Sequence, residues 1–456
     1  MASAIPPDLR SQVEQRTGCV IAAEQARGGG GASRQGAEVT LRDAAGVERR
    51  CYLAWDARAG DSSRLAFFER ETAILAALSG PFRGAGVKVA PLVAAFPSHL
   101  ALLSEFVPGS DRFAAATDKS ALARDFVRQL AGLHRLDARD PAFAALGDAT
   151  EPPSARIRHN LAAWQRDNLA AGADPVLQIA LTWLARNVPE DRGPALVLHG
   201  DAGPGNFLFT DDRVAALVDW ELSHLGDPME DLAQIWVRSL IQPFVPMREV
   251  FATYAQASGA PVDVARVKFH RLYFQVSFSV PSAVMANAPG SQVGATGTAL
   301  LFGTMHRRVM VRAVAELAGI ALADPTLPAG APDWTDRYFA SALDDLKTDI
   351  VPAAAANQRA GAKAKELARL VKFWRMRASH GAAFDADELS DIRALAPDAG
   401  PDLAAARTAL ARMIAANTVD FAAALQVCHN RTVRETAIMA EAMGALATTW
   451  YEPIAD

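Results

Sequence analysis

What most limits the fold of this chain is where its strand-like sequence lies. The first 110 residues carry short runs that alternate or are apolar: "CVIAAEQAR", "AEVTLRD" and "RRCYLAWD" between 19 and 56, then further runs at 87–95 and 100–107. One helical stretch, "RLAFFERETAILAALS" at 64–79, interrupts them. Period-2 runs bounded by Gly, Pro and Asp turn signals predict a small sheet with one helix. From about 118 the period becomes helical, as in "LARDFVRQLAGLHRL", and stays so to 450 apart from one tight hairpin, "NFLFTDDRVAALVD". Segregated strands and helices predict an α+β chain. At 456 residues it exceeds one ordinary core. The Pro/Gly/Ala-rich "LADPTLPAGAPDW" at 322–334 is the expected linker, separating a β-rich region (1–108) and a helical region holding the hairpin (109–321) from an all-helical block (335–456).

Charge and cysteine content exclude several classes. A net charge of −5 argues against a broad nucleic-acid or anionic-membrane surface. The densest cation cluster, Lys363 to Arg377, is a solvated helix face by its pattern. Cys19, Cys51 and Cys428 are far apart, with neither C-x-x-C nor His at metal spacing, so no disulfide framework or zinc site is expected. No apolar run reaches the roughly 20 residues needed to span a bilayer, and "MASAIPPDLRSQVEQ" has no signal-peptide core. A cytoplasmic protein is the expectation.

The hairpin carries the chemistry. In "LHGDAGPGNFLFTDDRVAALVDWELSHLGDPMED", pairing about Asp211-Asp212 brings Asn206, at the start of one strand, near Asp219, at the end of the other. An amide oxygen and a carboxylate converging there make a hard-oxygen site, suited to Mg²⁺ when phosphates and water complete its shell. Asp201, on the loop entering the hairpin, is placed to accept a proton from an attacking hydroxyl. His-x-Asp-x₄-Asn followed by a strand-end Asp is an arrangement found at kinase catalytic sites. Asp and Asn are also common turn residues, but three at this spacing are hard to explain as turns alone.

These residues resemble the motif region of the aminoglycoside phosphotransferase and choline kinase-like family, and in particular the kinase-like domains associated with acyl-CoA dehydrogenases. The resemblance is dense over 196–233, looser over 20–320, and does not reach 335–456. It implies a bilobal protein-kinase-like fold, with a small β-rich N-lobe and a helical C-lobe, here carrying an additional all-helical C-terminal domain. It also implies ATP (or GTP) and Mg²⁺ as cofactors, with Asp201 as catalytic base and Asn206 and Asp219 as metal ligands. His199 would brace the loop, while Asp227 and Asp231 would cap or pair near the following helix.

On the nucleotide side, "RGGGGASRQG" between the first two strands would cover the phosphates, with Gly29, Gly30 and Gly31 letting the backbone approach and Ser33 donating. Glu71 fits the family position that pairs with a strand cation, and equally fits an ordinary solvated helix glutamate. Backbone groups of Glu105, Phe106 and Val107, in "LLSEFVPG", would face the adenine. The sequence departs from the family at the end of the third strand, where a Lys or Arg is expected and Trp55 stands. Arg58, or Arg34 from the Gly-rich loop, would have to reach the phosphates instead.

An aminoglycoside pocket should be lined with acids. The segments expected to form the acceptor pocket are instead apolar: "LAQIWVRSLIQPFVPM", "FHRLYFQVSFSVPSAVMANAP" and "TALLFGTM". They predict an O-phosphotransferase acting on a small hydrophobic, acyl-CoA or lipid-like hydroxyl acceptor, although buried helices read the same way. A nucleotide-binding pseudokinase with a regulatory or scaffolding role is the alternative that Trp55 favours. For 335–456, closing over the acceptor pocket and forming a homodimer interface both suit the sequence.

Overall fold

The computed structural model describes residues 5–27, 34–56, 64–288, 290–291, 296–331 and 334–454. The chain forms two compact units, each assembled from separated segments. One comprises residues 1–153, 191–267 and 452–456, the other 154–190 and 268–451.

In the first unit, β1 (Val20–Arg27), β2 (Arg34–Arg42), β3 (Glu48–Asp56), β4 (Leu92–Phe96) and β5 (Ala101–Glu105) form an antiparallel sheet in the order β1-β2-β3-β5-β4. The β2–β3 turn is made by Asp43, whose Oδ1 accepts the amides of Ala45 and Val47, both at 2.9 Å. Strand alternation then sorts the side chains. Ala37, Val39 and Leu41 of β2 and Cys51, Leu53 and Trp55 of β3 are buried in a core with Leu9 and Val13 of the helix Pro7–Thr17. The cross-strand partners Arg34 and Asp56, Gly36 and Ala54, and Glu38 and Tyr52 occupy the opposite face.

The helix Pro7–Thr17 was not expected from the sequence. Its signals are short but physical: Pro7 at the first position, Leu9 and Val13 one turn apart, and Gly18 closing it in the left-handed conformation at φ 67°. The expected helix at 64–79 is Leu65–Ser79, and it buries Phe68, Glu71, Ile74 and Leu78.

Beyond the sheet, β6 (Leu196–Leu198), β7 (Phe207–Thr210), β8 (Arg213–Leu217) and β9 (His224–Gly226) make two small ladders, β6 with β9 and β7 with β8. Thr210 pairs with Arg213, which leaves Asp211 (φ 49°) and Asp212 (φ 54°) as a two-residue loop. Positive φ at both loop residues is the type I′ geometry that matches strand twist. The Asp212 carboxylate also accepts the amides of Thr117 and Asp118, each at 2.8 Å, which fixes the hairpin tip to the start of the helix Lys119–Leu133.

The second unit is helical. Leu181, Val276, Val311, Ile392, Leu410 and Leu425 belong to one apolar cluster, although they are spread over more than half of the chain. The boundary therefore differs from the one read in the sequence: 322–334 does not separate two units, and residues 335–451 share a core with 154–190 and 268–321. An amphipathic helix announces an apolar face, but not which distant helix will cover it. Among the described residues, no helix is long and apolar enough to cross a membrane.

Candidate active site

The loop after β6 is held from beneath by one helix, Met229–Arg238. The Asp231 carboxylate accepts the amides of His199 (2.9 Å) and Gly200 (3.0 Å), and contacts Nε2 of His134 at 2.9 Å. Gln234 Oε1 accepts the amide of Ala202 at 2.9 Å. Burial opposes charge on Asp231, yet the hydrogen bonds from His134 and the loop hold its pKa below the usual carboxylate value. Gly200 adopts φ 84°, and a Cβ there would collide with the carbonyl oxygen of Leu222. Burial keeps the His199 imidazole below its ordinary pKa, hence neutral. Its Nε2 donates to Val218 O at 3.0 Å while Nδ1 accepts the amide of Asp201 at 3.3 Å, the tautomer these backbone partners select. Asp227 caps the same helix through the amide of Met229 and pairs with Arg266.

Asp201 and Asn206 are joined directly. The Asn206 amide nitrogen donates to Oδ2 and to the carbonyl of Asp201, both at 2.8 Å. The amide of Val218 donates to Asn206 O at 3.0 Å, which ties the start of β7 to the end of β8 and places Asp219 beside them. Asp219 is left-handed at φ 68°. The surrounding protein, then the charges of Asp201 and Glu221, push its carboxyl up to about 6, against the opposing pull of Arg34 and Arg238. It is a carboxylate short of positive charge.

Arg238 was not anticipated. Its Nη1 donates to both carboxylate oxygens of Asp201 at 2.8 Å, and its Nη2 to Asn206 Oδ1 at 3.0 Å and to Pro204 O at 3.2 Å. The signal existed as helical spacing, because positions 231, 234 and 238 lie on one stripe and all three reach the same loop.

The cation that pairs with Glu71 lies on a different strand from the one expected. Arg34, at the start of β2, pairs with Glu71 and lies 3.8 Å from Glu221. Arg64 links Asp56 (2.8 Å) to Glu221 (3.3 Å). Glu71 is only 6% exposed, and burial pushes it up to about 7 despite Arg34. Trp55 belongs to the apolar core, so the site-facing position of β3 is Ala54, on the face that also carries Arg34. Arg50 is engaged elsewhere, donating to Glu38 at 2.7 Å with its guanidinium 4.1 Å from the Phe106 ring.

At the end of β5, Glu105 is exposed and Val107 half-buried. The amide of Phe106 is already taken by Arg50 O at 3.1 Å and is not left to face a base. Gly29, Gly30, Gly31, Ser33 and Arg58 lie outside the described residues.

Among the described residues, no group of three or more His, Cys, Asp or Glu is arranged to hold a metal alone. Asn206 and Asp219 fit a divalent cation that also takes phosphate oxygens and water, because Asp219 forms no ion pair among the described residues and Arg34 and Arg238 only partly offset the acids beside it. Parts of the three apolar segments expected around an acceptor pack instead: Leu232, Ile235, Trp236, Phe269, Leu272, Val276, Leu301 and Met305 are buried, whereas Met285 is 47% exposed.

Kinase-like phosphotransferases are built in this way, with a cation–carboxylate pair between sheet and helix and an Asp, Asn and Asp gathered on one loop and hairpin. Residues 29–270, more than half of the chain, match the sequence model of the phosphotransferase enzyme family APH, and the chain belongs to that family. The fold is shared with a protein of Ralstonia eutropha JMP134, described as a candidate aminoglycoside phosphotransferase. The two superpose with a TM-score of 0.51 at 20% identity, covering 68% of this chain and 97% of that one. Acyl-CoA dehydrogenase family member 11 of Gallus gallus is 35% identical over 111 residues, which is 24% of this chain and 14% of that protein. The Homo sapiens protein of the same name is 29% identical over 148 residues, 32% of this chain and 18% of its own. The match thus spans less than a fifth of the length of these two curated relatives. Family membership and fold support kinase-like phosphoryl transfer to a small molecule.

Proposed function

We propose that this protein is an ATP- and Mg²⁺-dependent phosphotransferase acting on a hydroxyl of a small hydrophobic or acyl-type molecule rather than an aminoglycoside. The observation that carries the reading is the junction of Asp201 and Asn206 beside Asp219, with the Arg34–Glu71 pair in the same unit. Asp201, fixed by Arg238 and Asn206, orients the acceptor hydroxyl and takes its proton as the new O–P bond forms and the bond to ADP breaks. Among the described residues, its Oδ1 has only Arg238 as a hydrogen-bonding partner, which leaves a lone pair for that hydroxyl. Arg34, oriented by Glu71, donates to the nucleotide phosphates. A Mg²⁺ ion held by Asn206 and Asp219 would neutralise phosphate charge. Positioning and charge neutralisation are most of what this chemistry requires.

The charge pattern supports an acceptor that is not a polycation. Asp201 is matched by Arg238, Glu221 by Arg64 and Arg34, and Glu71 by Arg34. Asp219 remains for the divalent cation, and none of these acids is left over to bind an amine. That two curated relatives are named acyl-CoA dehydrogenases is in keeping with an acyl-type acceptor.

The test is nucleotide binding by calorimetry and ADP release with ATP or GTP, over a panel of hydroxyacyl thioesters, long-chain alcohols and kanamycin. Wild type, Asp201→Asn and Asp219→Asn are compared. Turnover of an apolar acceptor, abolished in both variants, is expected. Mg²⁺-dependent binding without turnover on any acceptor would establish the pseudokinase alternative. Absence of nucleotide binding would end both readings, and efficient phosphorylation of kanamycin would overturn the acceptor class.

A further inference from the structure

The helical unit contains a cleft of about 670 Å³ that has no part in the site above. Two arginines one helical turn apart on Gly297–Ala318, Arg308 and Arg312, open into it. Arg308 is only 6% exposed. One of its terminal nitrogens, Nη2, donates to the carbonyls of Thr449 (2.6 Å) and Leu446 (3.3 Å), while its Nε is buried with no hydrogen-bond partner among the described residues. Burial and the neighbouring Arg312 lower its pKa to about 10, so it remains charged at neutral pH. The Arg312 guanidinium lies 4.5 Å from the Trp450 ring centre and has no carboxylate partner among the described residues.

The acids of the same cleft do not balance these charges. Glu316 is held by Arg271 and Lys268, and Asp324 faces Nε2 of His429 at 2.8 Å. Two guanidinium groups are thus left without counter-charge beside an apolar wall that includes Ile320, Leu322 and Val433. Confining like cations without an anion costs free energy, and a bidentate oxyanion is what guanidinium geometry recognises best. A volume of this size accommodates a small organic molecule as well as its head group.

We infer that this cleft is a binding site for an amphiphilic organic anion, one carboxylate or phosphate head on an apolar body. The head sits between Arg308 and Arg312, and the body lies along Leu322, Val433 and the Trp450 ring. The site is independent of the proposed phosphotransfer, since none of its residues belongs to the catalytic unit.

Calorimetric titration of the full chain tests this, with octanoate and octyl phosphate as probes and octanol and inorganic phosphate as controls. One-site binding of either anion, at least about tenfold tighter than both controls, is expected. The stronger of the two identifies the head group. Arg312→Glu, at an exposed position, should weaken binding by about tenfold or more, while Arg312→Lys, which keeps the charge but not the fork, weakens it less. Asp201→Asn should leave it unchanged. The inference is overturned if neither anion binds at millimolar concentration, if either control binds as tightly, or if Arg312→Glu leaves the affinity intact.

Discussion

Replacing Arg34 with Met removes the cation that pairs with Glu71 while keeping an unbranched side chain of similar length. Glu71 has a folded-state pKa of about 7 against an ordinary value of 4.5. That shift means that ionised Glu71 already opposes folding by about 3 kcal/mol above pH 7, even with Arg34 present. Because the folded value lies above the unfolded one, the contribution to stability is complete below pH 4.5 and lost as pH rises through about 7. Without Arg34 the folded value rises further, so the loss continues past pH 7. Leaving one partner of a buried pair alone costs about 3–5 kcal/mol unless the group takes up a proton. The expected destabilisation is therefore about 2–4 kcal/mol at pH 8.5 and less than about 1 kcal/mol at pH 5.5. Urea denaturation at the two pH values measures it. Nucleotide affinity, followed by calorimetry at pH 7.5, should fall at least about tenfold. Adding Ala54→Lys, on the same sheet face, should recover part of both losses. Equal destabilisation at both pH values with unchanged nucleotide binding would refute the pairing argument and leave Arg34 a packing residue.

Three further outcomes are expected. Asp219→Asn relieves a carboxyl raised to about 6. Because the side chain is exposed, screening reduces the roughly 3 kcal/mol implied by such a shift to about 1 kcal/mol of gained stability at pH 8, read by thermal melts alongside complete loss of turnover. For the wild type, Mg²⁺-dependent nucleotide affinity should decline as pH falls below about 6, since Asp219 then carries a proton; a flat profile from pH 5 to 8 would contradict its role as a ligand. Gly200→Ala should cost at least about 2 kcal/mol in urea melts and suppress activity, because φ 84° and the Leu222 carbonyl both exclude a Cβ.

Much of the site could be read locally. The interval from Asp201 to Asp219 is one loop and one hairpin, and a two-residue loop at Asp211-Asp212 fixes which residues meet across it. Turn geometry and strand alternation act over a few residues, so sequence order alone places Asn206 against the end of β8. The same alternation puts Trp55 on one face of β3 and Ala54 on the other, but not which face looks into the core. That depends on the helix Pro7–Thr17 joining the core on that face of the sheet, an association between distant segments.

Arg238 shows the same division. Helical period puts it in line with Asp231 and Gln234, yet its contact with Asp201 exists only once the helix lies under the loop. The helical unit is the clearest case. The sequence marks its amphipathic segments and a Pro/Gly-rich break at 322–334, whereas the core joins both sides of that break.

By itself, then, the sequence determined most element types, the hairpin and the candidate residues proposed to bind metal and move a proton, because those follow from short-range backbone geometry and side-chain chemistry. Tertiary structure decided which cation meets Glu71, which guanidinium holds Asp201 and where one core ends. Each of these is a contact between distant segments, set by how apolar faces pair, and no local pattern names a face's partner.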